Sequence, residues 1–350
     1  MTTFNSHNLG NKTLGSFRRR TVTLKANDLV QISALNPDGG LPVIIEPKVE
    51  ALNMVDWIGT HQKLAETLLA KHGGILFRNF ELSGTEGLQA FIRTWGPPLE
   101  YSYCSTPRTQ VGGHIYTSTE YPPDQVIPLH NEEAYSTTWP MKLWFYCLTP
   151  SETGGETPIA DSRKVFEGIP QTIRKGFIEK KIMYVRNYDE GIDLPWQTVF
   201  QTNDKSAVEA FCHHAGIEFE WKDHNRLRTR QVCQAAATHP QTGESVWFNQ
   251  AHLFHVSNLQ PEVRSTLLSM YQQEDLPRQA YYGDGSIIET ADLDKIREVY
   301  AKESVMFPWQ KGDILMVDNM LVAHGRMPFV GSRKIVVGMA EPHLANKALA

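Results

Sequence analysis

The feature that most constrains this chain is a series of short apolar runs that never settles into a regular alternation of strand and helix. "KLWFYCL" (142–148), "KIMYVRNY" (181–188) and "ESVWFNQ" (244–250) are strand-like, and Pro, Gly, Asp and Asn separate them. "GDILMVDNMLVAHG" (312–325) and "RKIVVGMAE" (333–341) continue the series. Helical spacing shows over 54–71, where Val55, Ile58, Leu64, Leu68 and Leu69 recur, and a glycine-opened strand, "HGGILFRNF" (72–80), follows. Further helices are expected over 84–95, 206–216 and 261–273. Without βαβ alternation a Rossmann-type sheet is disfavoured, and the expectation is a mainly β protein with peripheral α-helices.

At 350 residues, 41% hydrophobic and 21% charged, the chain can bury a large core. We expect a flexible arm over 1–25 and one elaborated domain over 26–350. The net charge is −5, and Arg18, Arg19 and Arg20 form the longest basic block, so a nucleic-acid partner is not expected. No run of about 18 apolar residues suggests a membrane span, and residues 1–15 lack the apolar core of a signal peptide. Cys104, Cys147, Cys212 and Cys233 form no CxxC pair, which fits reduced thiols in a cytoplasmic protein.

The chemistry is carried by "PLHNEEAYS" (128–136). His130 and Glu132 stand two residues apart, and on an extended segment i and i+2 face the same way while Glu133 faces the other. An isolated HxE is more often an ion pair than a metal site. Here it is joined by His324, at the end of an apolar run, and by Arg333 nine residues later. Two His and one carboxylate on one face of an octahedral iron(II) leave three positions open, and a guanidinium suits the distal carboxylate of a 2-oxoacid better than the ammonium of Lys334 does.

These motifs, "YTSTEYPPDQVIPLHNEEAYS", "GGETPIADSR", "VWFNQAHLFH" and "DNMLVAHGRMPFVGSRKIVVGM", resemble those of the Fe(II)/2-oxoglutarate-dependent dioxygenases of the taurine dioxygenase (TauD/TfdA-like) family, in particular its SyrP-like subgroup. The resemblance covers roughly residues 40–342. It implies a double-stranded β-helix, or jelly-roll, with accessory helices outside. It assigns the iron to His130, Glu132 and His324, and 2-oxoglutarate to Thr157 and Arg333. It makes Arg108, Tyr116, Ser118, Asn131, Asn249 and Arg326 candidate substrate contacts, and sets His252 and His255 in the cavity wall.

The implied reaction consumes 2-oxoglutarate and O2, releases succinate and carbon dioxide, and hydroxylates an unactivated C–H bond. The substrate would be an amino acid or a compound derived from one, free or on a carrier protein, in a biosynthetic pathway. Desaturation, epoxidation or cyclisation could follow from the same cofactors, and the oligomeric state is left open. A zinc hydrolase could use the same triad but would leave Arg333 and Thr157 without a purpose. A noncatalytic jelly-roll would be expected to lose a ligand, and none is lost.

Overall fold

The computed structural model describes residues 29–36, 39–100, 108–188 and 193–345, so the expected arm over 1–25 and Cys104 lie outside the described residues. Its centre is an eight-stranded sheet ordered Val30–Asn36, Gly39–Pro47, Gly74–Phe77, Ile314–Asp318, Thr138–Thr149, Lys334–Leu344, Ile115–Thr117 and Gln110–Gly112. The pairings are antiparallel apart from that of Gly39–Pro47 with Gly74–Phe77.

Thr138–Thr149, the longest strand, shows why this segment becomes a central one. It is apolar at nearly every position and buried on both faces. Successive side chains point to opposite sides, so Leu143, Phe145 and Cys147 enter one core while Trp144 and Tyr146 enter another. Leu315 and Val317 join the first core and Ile314 and Met316 the second, and Ile335 and Val337 are divided from Val336 in the same way.

The second core is closed by two helices, Met54–His72 and Gly84–Arg93. The first is capped by Asn53, whose Oδ1 accepts from the N–H groups of Val55 and Asp56 at 2.9 and 3.1 Å. Lys71 and His72 complement its C-terminal end, and Gly73 at φ 77° stops it in the left-handed conformation. The first core faces a small antiparallel sheet of Ile127–His130, Val322–Arg326 and Ile159–Asp161. Between Asp161 and Ile314 the chain adds a four-stranded antiparallel sheet (Glu218–Lys222, Arg226–Cys233, Ile182–Tyr188, Arg278–Tyr282) and helices that include Gln171–Lys180 and Thr290–Glu303.

The four expected helices form as Met54–His72, Gly84–Arg93, Lys205–Ala215 and Pro261–Met270. The hairpin Val30–Pro47 and much of the inserted sheet were not expected.

Candidate metal centre

His130 ends one strand of the small sheet, and His324 lies directly opposite it on the neighbouring strand. Their ring centroids are 4.5 Å apart. The pairing is irregular between His324 and Arg326, because Ile127–His130 carries an extra residue there. Gly325 sits in that irregularity, and a Cβ on it would meet the Ile127 carbonyl oxygen at 2.5 Å. The strands can close beside the two histidines only because residue 325 has no side chain.

Each imidazole is prepared as a ligand. The Pro128 carbonyl, 2.8 Å from His130 Nδ1, can only accept, so Nδ1 carries the proton and Nε2 keeps its lone pair. Burial lowers the pKa of His130. Burial, with the nearby His130 and Arg108, holds His324 well below the usual imidazole value. Both rings are therefore neutral. Phe145 packs against His324 at 4.9 Å.

Glu132 arrives differently from the extended geometry expected for "HNEE". The strand ends at His130, residues 132–135 form a turn, and Glu133 has φ 56°. Asn319 holds this turn from the far end of the Ile314–Asp318 strand. Its Oδ1 accepts from Glu132 N–H at 2.7 Å, and its Nδ2 donates to the Glu132 and Pro140 carbonyls at 2.9 Å each. The Glu132 carboxylate lies 3.8 Å from His324 Nε2 and accepts a 2.7 Å hydrogen bond from Arg108. Glu133 is excluded from the cluster, as expected. Burial, and then the charge of Glu132, pushes its carboxyl up to about 8.

Candidate ligand atoms of His130, Glu132 and His324 lie within 4.8 Å of one another. Two neutral imidazoles and one carboxylate clustered in this way are a donor set that fits iron(II) with open positions. His130 and His324 border a cavity that is also lined by Arg108, Ser118, Thr119, Thr157, Arg326 and Arg333 and by apolar Ile127, Phe145, Ile335 and Val337. A larger cleft behind the main sheet, lined by Lys63, Lys71, Lys142 and Asp318, holds none of the triad.

Arg333 reaches this cavity while Lys334 is exposed. The Arg333 Nε donates to the Gly155 carbonyl at 2.9 Å, and burial together with neighbouring Arg326 pushes its pKa down to about 10. Thr157 is buried, and its Oγ1 accepts from Trp309 Nε1 at 3.1 Å. An indole N–H only donates, so the Thr157 hydroxyl keeps its own proton to give elsewhere. Trp309 was missed in the sequence, which carries no spacing signal linking it to Thr157.

Of the candidate substrate contacts, Arg108, Ser118 and Arg326 border the cavity. Arg326 spends its guanidinium on the carbonyls of Tyr121, Pro122 and Gln125, clamping the loop before Ile127–His130. The structure sets the other three away from the cavity lining. Tyr116 lies in the first core opposite Val337. Asn131 donates to Ser162 Oγ and the Asn319 carbonyl, and Asn249 bonds the Ala235 carbonyl and Ala251 N–H. None of the three lines the cavity, because buried amides are taken up where backbone polar groups need partners. His252 and His255 do not line it either. His252 bonds the Leu129 carbonyl at 3.0 Å and stacks on Tyr300, and His255 bonds Ser257 at 2.8 Å.

The family model "Taurine catabolism dioxygenase TauD, TfdA family" matches residues 45–339. The chain is 40% identical over 289 residues to the dapdiamide synthesis protein DdaC of Enterobacter agglomerans, covering 82% of this chain and 88% of that one. It is 28% identical over 318 residues to a clavaminate synthase-like protein of Arabidopsis thaliana, covering 87% and 92%. Among solved structures, PvcB of Pseudomonas aeruginosa superposes with a TM-score of 0.54 at 14% identity over 93% of this chain and 94% of that one, a likeness of fold. The two facing sheets are thus the jelly-roll core of such oxygenases.

Proposed function

The chain belongs to the TauD, TfdA family and is an Fe(II)- and 2-oxoglutarate-dependent dioxygenase, and from that premise we propose that it hydroxylates an unactivated C–H bond of an amino-acid-derived substrate in a biosynthetic pathway. His130, Glu132 and His324 hold the iron, and Thr157 and Arg333 hold the 2-oxoglutarate. The observation that carries the reading is the preformed triad, whose two histidines line one cavity with Arg333. Iron with 2-oxoglutarate and O2 supplies the oxidising power, releasing succinate and carbon dioxide.

The protein's residues bind, orient and exclude water. Arg333 and Arg326 face the cavity with no carboxylate among its described lining residues, and a dianion such as 2-oxoglutarate relieves their mutual repulsion. Thr157 has a hydroxyl proton to donate to the same anion. Ile127, Phe145, Ile335 and Val337 make the remaining wall apolar, which keeps bulk water from the reacting carbon.

The biosynthetic setting is supported by the relative named for dapdiamide synthesis, and whether the substrate is free or on a carrier protein belongs to the test below. A cytoplasmic location is part of the same reading, supported by buried, unpaired Cys147, Cys212 and Cys233. Among the described residues no helix is long and apolar enough to cross a membrane.

The test is anaerobic binding of Fe(II) and 2-oxoglutarate, read by the weak visible charge-transfer absorption of the ternary complex. His130→Ala is expected to abolish the band. Arg333→Ala should weaken 2-oxoglutarate by about 2–5 kcal/mol while metal still binds. An unchanged band in His130→Ala would remove His130 from the iron, and a 2-oxoglutarate defect in Lys334→Ala instead of Arg333→Ala would move the anion to the other residue. Mass spectrometry of free amino acids and their carrier thioesters then identifies the product. Gain of one oxygen atom marks hydroxylation, and loss of two hydrogens marks desaturation.

A further inference from the structure

We propose that Arg108 is a positioning residue for the metal carboxylate: it fixes the head group of Glu132 against His324. The inference rests on the reading of His130, Glu132 and His324 as the metal ligands. Arg108 and Glu132 form a buried ion pair, with side chains 4% and 6% exposed and an Nη2 to Oε2 distance of 2.7 Å. The oxygen that Arg108 holds, Oε2, is the one that stands 3.8 Å from His324 Nε2. Among the described residues Arg108 is the one side-chain donor recorded on this carboxylate.

Glu132 needs such a partner for a physical reason. Three side-chain torsions separate its carboxylate from a backbone that lies in a turn, so the Asn319 tether alone leaves the head group free to swing. A carboxylate oxygen offers two acceptor sites, so Arg108 can keep one while a metal takes the other. Arg108 lies near all three ligands and adds to burial in lowering the pKa of both imidazoles. Of the three, Arg108 is hydrogen-bonded to Glu132. The arginine comes from just before the Gln110–Gly112 strand, 24 residues upstream of its partner, and so ties the segment leading into the cavity to the metal carboxylate.

Mn(II) binding to the full-length chain, followed by electron paramagnetic resonance without 2-oxoglutarate, tests this in Arg108→Lys, Arg108→Gln and Arg108→Met, each with a thermal unfolding curve before metal is added. The expected order of affinity is wild type, Lys, Gln, Met, with Arg108→Met weakened tenfold or more and Arg108→Lys recovering most of the loss. Tighter binding in Arg108→Met would overturn the proposal by making the arginine a competitor of the metal. Equal affinity in all variants beside a lowered melting temperature would reduce it to a structural ion pair and overturn it equally. Should Arg108→Met not fold, Arg108→Gln against wild type decides by the same criteria. His130→Ala is the separate control. If it binds Mn(II) as tightly as wild type, the ligand reading itself is wrong, whatever Arg108 does.

Discussion

The two halves of the candidate metal site are built by different means. His130 and His324 sit on paired strands and face each other because the hydrogen-bond register puts them there. Glu132 sits in a turn, and its place is set by side chains from far away in the sequence, Asn319 for its backbone and Arg108 for its carboxylate. A strand position is specified by every pair in the ladder, so no single neighbour decides it. A turn position has few restraints, and each one is worth a larger share.

The register half should break hardest where the strands approach most closely. Gly325→Ala places a methyl 2.5 Å from the Ile127 carbonyl and pushes the two histidine strands apart. Metal binding is expected to fall by about a hundredfold or more, since the three-ligand set is lost as a unit. Near-wild-type Mn(II) affinity in this variant would show that the strand spacing matters less than the geometry indicates.

The tethered half should give a smaller, graded loss. Asn319→Ala leaves the Glu132 N–H and the Glu132 and Pro140 carbonyls without their partner. Each buried group so stranded costs about 1–3 kcal/mol, and metal affinity should drop about 10–100-fold, as for other groups that orient ligands. Denaturant unfolding and Mn(II) titration measure the two separately. If affinity holds while stability falls, Asn319 braces the sheet and does not tether Glu132.

The smallest effect is expected at His252, which bonds the carbonyl just before His130. Burial pushes this imidazole down to about 3. Its unfolded value is near 6.5. The folded form is therefore neutral, and its contribution to stability is intact above pH 6.5 and lost as the pH falls from there towards 3. His252→Gln can keep the hydrogen bond without a titrating group. Its unfolding midpoint should change less between pH 7.5 and 5 than that of wild type, and parallel slopes would mean that His252 is not desolvated as described.

The contrast also explains what was legible in the sequence. His130, His324 and Arg333 lie in or beside apolar runs whose period reports their faces, and the structure brings all three to one cavity. Glu132 was found, but on the assumption that "HNEE" is extended; a turn with Glu133 at positive φ reaches the same end, and nothing local in the sequence signals it. The Arg108–Glu132 pair is not legible in the sequence, because an ion pair across 24 residues leaves no pattern. The backbone partners of Asn131 and Asn249 were not legible, because an amide near a site serves a substrate and a buried carbonyl equally well. The strands "EFEWK" and "RLRTRQVC" of the inserted sheet do alternate, with a charge at every second position, but they lack the apolar runs that mark the other strands.

The alternation of the central strand settles one more matter, durability. Its middle reads Trp144, Phe145, Tyr146, and the ring that touches His324 is the phenylalanine, while the tryptophan and the tyrosine point into the core behind the sheet. Indole and phenol surrender electrons far more readily than a plain benzene ring does. A shift of this strand by one residue would turn one of them towards the iron. The pairing of Phe145 with Val337 and Leu315 therefore decides which ring stands beside His324, and it gives that place to the one of the three that is hardest to oxidise.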